Sequence, residues 1–159
     1  MACAARYLGA VTADYPTILA TSGGIGPGDR TALAFTALSR FAVELSGVNR
    51  TPKVTFIGTA TGDQQAMLGN IADAARAEGW DLTQLRLFSM PNVDPVDAIL
   101  GADVAWVMGG SVANLLAVWQ VHELGPILRQ AWQAGVVLTG VSAGSICWHV
   151  GGVTDSFGP

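Results

Sequence analysis

Lysine is almost absent from this chain. Among its 159 residues Lys53 is the single one, and since lysine and arginine together number 8, the remaining seven cations are arginines. They are scattered, with no basic stripe, which argues against a nucleic-acid partner. Charge of either sign is scarce: Asp, Glu, Lys and Arg make up 13% of the chain, against about 25% in ordinary soluble domains. Cysteine is nearly missing too. Cys3 and Cys147 are too few for a disulfide framework and lack metal-site spacing, so reduced thiols in a cytoplasm, with no metal or cofactor, are expected. No window approaches about 18 uninterrupted apolar residues, so no membrane span is read. Met1 to Thr12 carries one arginine and a weak apolar run broken by Gly9, which is not a convincing secretory signal. No internal repeat and no low-complexity tract occurs.

What the chain has in quantity is apolar side chains and glycine. Hydrophobic residues make up 50% and there are 20 glycines, with a formal net charge of −4. Such a composition excludes intrinsic disorder, and the length suits a single domain over residues 1–159. So many glycines imply many tight strand-to-helix turns. So little charge leaves an apolar surface that a second subunit would cover, so a homodimer is one expectation.

Short β-branched apolar runs alternate with helical patterns. Strands are predicted at Thr17–Ser22, Lys53–Gly58, Leu82–Phe88, Asp103–Met108 and Val136–Val141. Helices are predicted over Asp29–Leu45 with Asp29 as N-cap, Asp63–Gly79 with Gly79 as its stop, one or two turns at Asp94–Leu100, then Val112–Val121, Pro126–Ala134 and Ser142–Val150. Alternation of this kind implies parallel βαβ units in an open α/β sheet, with sites at the carboxyl ends of the strands. The last helix is followed only by Gly151–Pro159, a loop with no closing element, so the chain reads as the front part of a longer domain.

The pentapeptide Gly140-Val141-Ser142-Ala143-Gly144 matches G-x-S-x-G and sits between a predicted strand and a predicted helix, the setting that motif needs. A sharp turn there lifts the Ser142 hydroxyl off the sheet, and the following N–H groups can stabilise an oxyanion. The plain alternative is an ordinary turn with Ser142 as N-cap. Gly109-Gly110-Ser111 is a second strand-to-helix junction whose free amides could complete the oxyanion site, or it is simply a tight turn. Ser22-Gly23-Gly24 could line the same site but lacks dinucleotide-fingerprint spacing. A nucleophilic serine needs a base. His149 lies seven residues past Ser142, about 10 Å along a continuous helix, and His122 falls at the far end of its helix, so both read as structural or surface histidines. Asp155 could fold back toward the serine or serve as a turn residue. Asp63 reads as a helix cap, Cys147 as a core residue, Trp119 and Trp132 as packing residues, and Trp148 could flank the site.

The runs VMGGSVANLLAVW (Val107–Trp119), GVSAGSICW (Gly140–Trp148) and GGVTDSFGP (Gly151–Pro159), with ILATSGG (Ile18–Gly24) and FIGTATGD (Phe56–Asp63), resemble the peptidase E family of serine peptidases, which includes aspartyl dipeptidase and cyanophycinase. The resemblance implies a three-layer α/β/α sandwich with a mostly parallel sheet, similar to class I glutamine amidotransferase domains. It implies Ser142 as nucleophile, oxyanion amides from Gly110 and Ala143 beside Gly109 and Ser111, and Asp155 as the closest match to the acid. The family's histidine lies well downstream, in a stretch this chain lacks. Aspartyl dipeptidases carry asparagine where this chain has Ser111 and an arginine near Val153, so a strict preference for N-terminal aspartate is not implied. The function expected is hydrolysis of dipeptides or short peptides through an acyl-enzyme, with little activity from the chain alone. A β-aspartyl (cyanophycin-type) hydrolase and a non-catalytic small-ligand domain are the alternatives.

Overall fold

The computed structural model describes residues 13–158; the opening stretch and Cys3 lie outside them. The strands are β1 (Ile18–Thr21), β2 (Ile25–Gly26), β3 (Ala34–Phe35), β4 (Lys53–Ile57), β5 (Asp81–Leu85), β6 (Val104–Val107) and β7 (Val137–Val141). The helices are α1 (Ala37–Leu45), α2 (Gln65–Glu78), α3 (Pro95–Leu100), α4 (Val112–Val121), α5 (Leu124–Gln133) and the single turn α6 (Ala143–Ile146). Five strands pair in parallel in the order β1-β7-β6-β4-β5. β4, β6 and β7 are buried along nearly their whole length, as strands covered on both faces must be.

Two cores flank this sheet. Under α1 and α2 lie Phe35, Ala42, Phe56, Leu68, Ile71 and Trp106. Under α3, α4 and α5 lie Ile57, Leu85, Ile99, Val107, Leu115, Leu124, Leu128 and Leu138. Each Leu, Ile or Phe so buried contributes about 1.5–3 kcal/mol, which outweighs the weak intrinsic preference of four- and five-residue strands. The result is the three-layer α/β/α architecture. At the amino ends of β4 and β6, the buried Asp103 carboxylate accepts from the Lys53 amide at 2.8 Å and from both Arg50 terminal nitrogens at 2.8 Å. This ties β4 to β6 and holds the Arg50 guanidinium above its ordinary pKa.

Several local expectations are corrected. Asp29 does not open a helix: residues 25–35 form the antiparallel pair β2–β3, and α1 begins only after Thr36. The apolar spacing there serves to bury Phe35, which packs against Trp80 at 4.6 Å and Trp106 at 5.9 Å between ring centroids. Asp63 is not a helix cap. It stands at φ +53, before α2, and its buried carboxylate accepts from the Leu87 and Phe88 amides at 2.6 and 3.1 Å, joining the loops after β4 and β5. A 3-10 turn, Thr59–Thr61, precedes it. The helix predicted over Ser142–Val150 stops at Ile146. Gly79 does end α2, at φ +72, a conformation that favours glycine. No helix among the described residues is long and apolar enough to cross a membrane.

Candidate active site

At the carboxyl end of β7 the chain turns at Ser142, with φ +54 and ψ −116. A non-glycine residue held there stores on the order of 1–3 kcal/mol of strain. The two glycines of the motif make the turn sterically feasible. A Cβ on Gly140 would lie 2.3 Å from the Gly144 carbonyl oxygen, and one on Gly144 would lie 2.2 Å from that of Val107. Backbone therefore packs on backbone where β6, β7 and α6 meet. The turn is pinned by the Ser145 and Ile146 amides donating to the Ser142 carbonyl at 2.8 and 2.9 Å and by Thr21 Oγ1 donating to the Gly140 carbonyl at 2.9 Å. Ser142 itself is exposed. It occupies the N-cap position of α6, yet its hydroxyl makes no capping bond.

Because β6 neighbours β7, with Val107 opposite Gly140, the Gly109-Gly110 junction falls beside the serine. A Cβ on Gly109 would be 3.1 Å from Ser142 Cβ and 3.7 Å from its Oγ. Gly110 adopts φ +142, and a Cβ on it would meet the Ala60 carbonyl oxygen at 2.3 Å. Its own amide donates no backbone hydrogen bond among the described residues, and the Ala143 amide, first in α6, has no intrahelical acceptor. Ser111 is engaged otherwise. Its amide donates to the Ala60 carbonyl at 2.9 Å, and its Oγ accepts from the Asn114 amide at 3.2 Å as the N-cap of α4.

A cavity of about 390 Å³ opens here, with Gly110, Ser142, Ala143 and Ile146 on one side and Val153, Thr154, Asp155 and Gly158 on the other. Ser111 is not in its lining, and among the described residues Asp155 is the only ionisable one that is. Asp155 is exposed, and its carbonyl accepts from the Gly158 amide at 2.9 Å. Neither histidine lines this cavity. His122 caps the end of α4 with Nε2 3.1 Å from the Leu87 carbonyl, and His149 is exposed beyond α6. The Ser22–Gly24 turn follows Thr21, whose carbonyl accepts from the Ser142 amide at 3.4 Å, but it does not line this cavity: Gly24 packs on Ser39 and Trp106, and its carbonyl accepts from Ser39 Oγ at 2.6 Å. Cys147 and Trp148 face a separate groove of about 760 Å³ with Trp119 and Trp132. Burial pushes the Cys147 thiol up to about 12, so it is a poor nucleophile. Trp148 stacks obliquely on Trp119, centroids 5.7 Å apart, rather than flanking Ser142. Among the described residues no group of three or more His, Cys, Asp or Glu could hold a metal.

Sequence reasoning missed Ser156. Its Oγ accepts from the Val112 and Ala113 amides at 3.0 and 3.4 Å. A serine in a loop carries no signal of a partner 44 positions away.

The sequence model of peptidase family S51 matches residues 18–159. The chain belongs to peptidase family S51. A curated relative, the uncharacterized peptidase YgaJ of Bacillus subtilis (strain 168), is 43% identical over 108 residues, 68% of this chain and 47% of that protein. Among solved structures, a protein of Listeria monocytogenes EGD-e described provisionally as a peptidase E superposes with a TM-score of 0.55 at 20% identity, covering 67% of this chain and 54% of that one. A peptidase from an acI-B1 Actinobacterium gives 0.54 at 21%, covering 77% and 53%. At those identities the structures speak for the fold alone. This S51 chain spans about half the length of the relatives it matches.

Proposed function

We propose that this chain carries the nucleophile-bearing part of a serine-type peptidase acting on dipeptides or short peptides. The observation that carries the reading is Ser142: an exposed, uncapped hydroxyl on a strained turn, beside two amides that have no backbone acceptor among the described residues, in a chain of family S51. Ser142 Oγ attacks the scissile carbonyl carbon. The carbonyl electron pair moves onto oxygen, to which the Gly110 and Ala143 amides donate hydrogen bonds; one such donor is worth about 10²–10³ in rate. The Ser142 proton passes to the general base as Oγ attacks, and collapse hands that proton to the departing amine. Water, giving up a proton to the same base, then releases the acyl group as a carboxylic acid and restores the Ser142 hydroxyl. Asp155 is proposed as the acid that would orient a histidine. That histidine, the general base, would come from outside the described residues, and its absence costs about 10²–10⁴. The chain alone is therefore expected to turn over peptide slowly or not at all.

The test is a fluorophosphonate probe followed by adduct mapping. Slow labelling confined to Ser142 and abolished by Ser142→Ala is expected. A wild-type chain that takes no adduct, or takes it elsewhere, would overturn the nucleophile and favour a non-catalytic ligand-binding domain. With a complete active site in hand, comparing α-aspartyl with β-aspartyl dipeptides would separate the dipeptidase reading from the cyanophycin type.

A further inference from the structure

The strap over Ser142, residues 151–158, has little apolar hold on the protein beyond the close approach of Gly152 to the Ile146 side chain. Val150, Val153 and Phe157 are 112%, 96% and 87% exposed, and no helix or strand runs through it. Yet Val153, Thr154, Asp155 and Gly158 form one wall of the Ser142 cavity. What fastens that wall is a polar clamp. Helix α4 begins with amides that lack intrahelical acceptors. Ser111 Oγ satisfies the third, that of Asn114. Ser156 Oγ satisfies the first two, of Val112 and Ala113. Thr154 Oγ1 lies 2.7 Å from Ser156 Oγ and accepts from the Ser156 amide at 3.2 Å, so the strap arrives already folded around the capping hydroxyl. A turn from the Gly158 amide to the Asp155 carbonyl closes its far side.

Gly110 stands two residues before Val112. The helix end that Ser156 grips therefore continues into the loop that presents the Gly110 amide to the cavity. One hydroxyl sets both the position of the Asp155 wall and its spacing from the oxyanion side. We infer that Ser156 is a positioning residue of the Ser142 site, clamping the 151–158 strap to the N-terminus of α4. The inference rests on the proposed role of Ser142 for its functional consequence, and on the hydrogen bonds alone for the clamp itself.

Hydrogen exchange at single amides, read by NMR on the full chain, and the fluorophosphonate labelling rate of Ser142 test it together. Ser156→Ala is expected to raise exchange at Val112 and Ala113 and to slow labelling about fivefold, the usual size of a lost capping bond. Ser156→Thr, which keeps the hydroxyl, should restore both, and the Asn114 amide, capped by Ser111, should change in neither. Unchanged protection at Val112 and Ala113 would overturn the clamp. Lost protection with an unchanged labelling rate would overturn the positioning role. If the wild-type chain itself takes no label, the nucleophile reading fails. The positioning role is then decided by the Gly110 and Ala143 amide resonances: movement in Ser156→Ala supports it, and unmoved resonances overturn it.

Discussion

Gly144→Ala adds one methyl group at the most crowded point of the site. The new Cβ would lie 2.2 Å from the Val107 carbonyl oxygen, 2.6 Å from its carbon and 3.0 Å from the Met108 oxygen. All three are backbone atoms, so no side chain can swing aside. The nearest contact is roughly 1 Å or more short of van der Waals separation, and relief requires moving the end of β6 away from α6. Overpacking a core costs about 1–3 kcal/mol, and contact with three backbone atoms puts this case at the upper end, about 3 kcal/mol. At about 2–4 °C per kcal/mol for a domain of this size, the melting midpoint should fall by about 6–12 °C. The same displacement carries Ser142 with it, and a shift near 1 Å is worth about 10²-fold in reaction rate, so fluorophosphonate labelling should nearly cease. Gly69→Ala is the control. Gly69 lies within α2, and its added methyl would meet nothing within 4 Å, so this variant should gain about 0.5–1 kcal/mol. Scanning calorimetry and labelling read both variants. A Gly144→Ala protein that melts and labels like the parent would refute the close backbone packing and the argument for why the motif requires glycine there.

Asp63→Ala removes the acceptor of the buried Leu87 amide and of the part-buried Phe88 amide; with hydrogen bonds to a charged group worth about 1.5–3 kcal/mol each, denaturant titration should show a loss of at least about 2 kcal/mol. Cys147 should resist iodoacetamide at pH 8 in the folded chain and react in urea, as read by mass spectrometry of its peptide. Its folded pKa, about 12, lies above the ordinary thiol value of 9.0, so the folded state holds the proton longer than the unfolded one. Its contribution is intact below pH 9 and is lost between pH 9 and about 12, a loss that Cys147→Ala should remove from the alkaline stability profile.

The periodic elements were legible from the chain alone because their cause is local. Val112–Val121 reads as a helix from its own spacing, Gly79 marks a stop by its backbone freedom, and the β-branched run before Gly140 reads as a buried strand. The same locality exposed G-V-S-A-G as a strand-to-helix turn. It misled where an apolar pattern answered to distant partners. Leu33 and Phe35 look helical, but Phe35 is claimed by Trp80 and Trp106, and residues 25–35 become a strand pair instead. Asp63 looks like a cap, but its carboxylate serves two amides across the gap between loops. The order β1-β7-β6-β4-β5, which sets Gly109 against Ser142, and the grip of Ser156 on α4 belong to the tertiary structure. Contacts between residues so far apart along the chain are decided by which surfaces the whole chain buries together, and no short stretch of sequence encodes them.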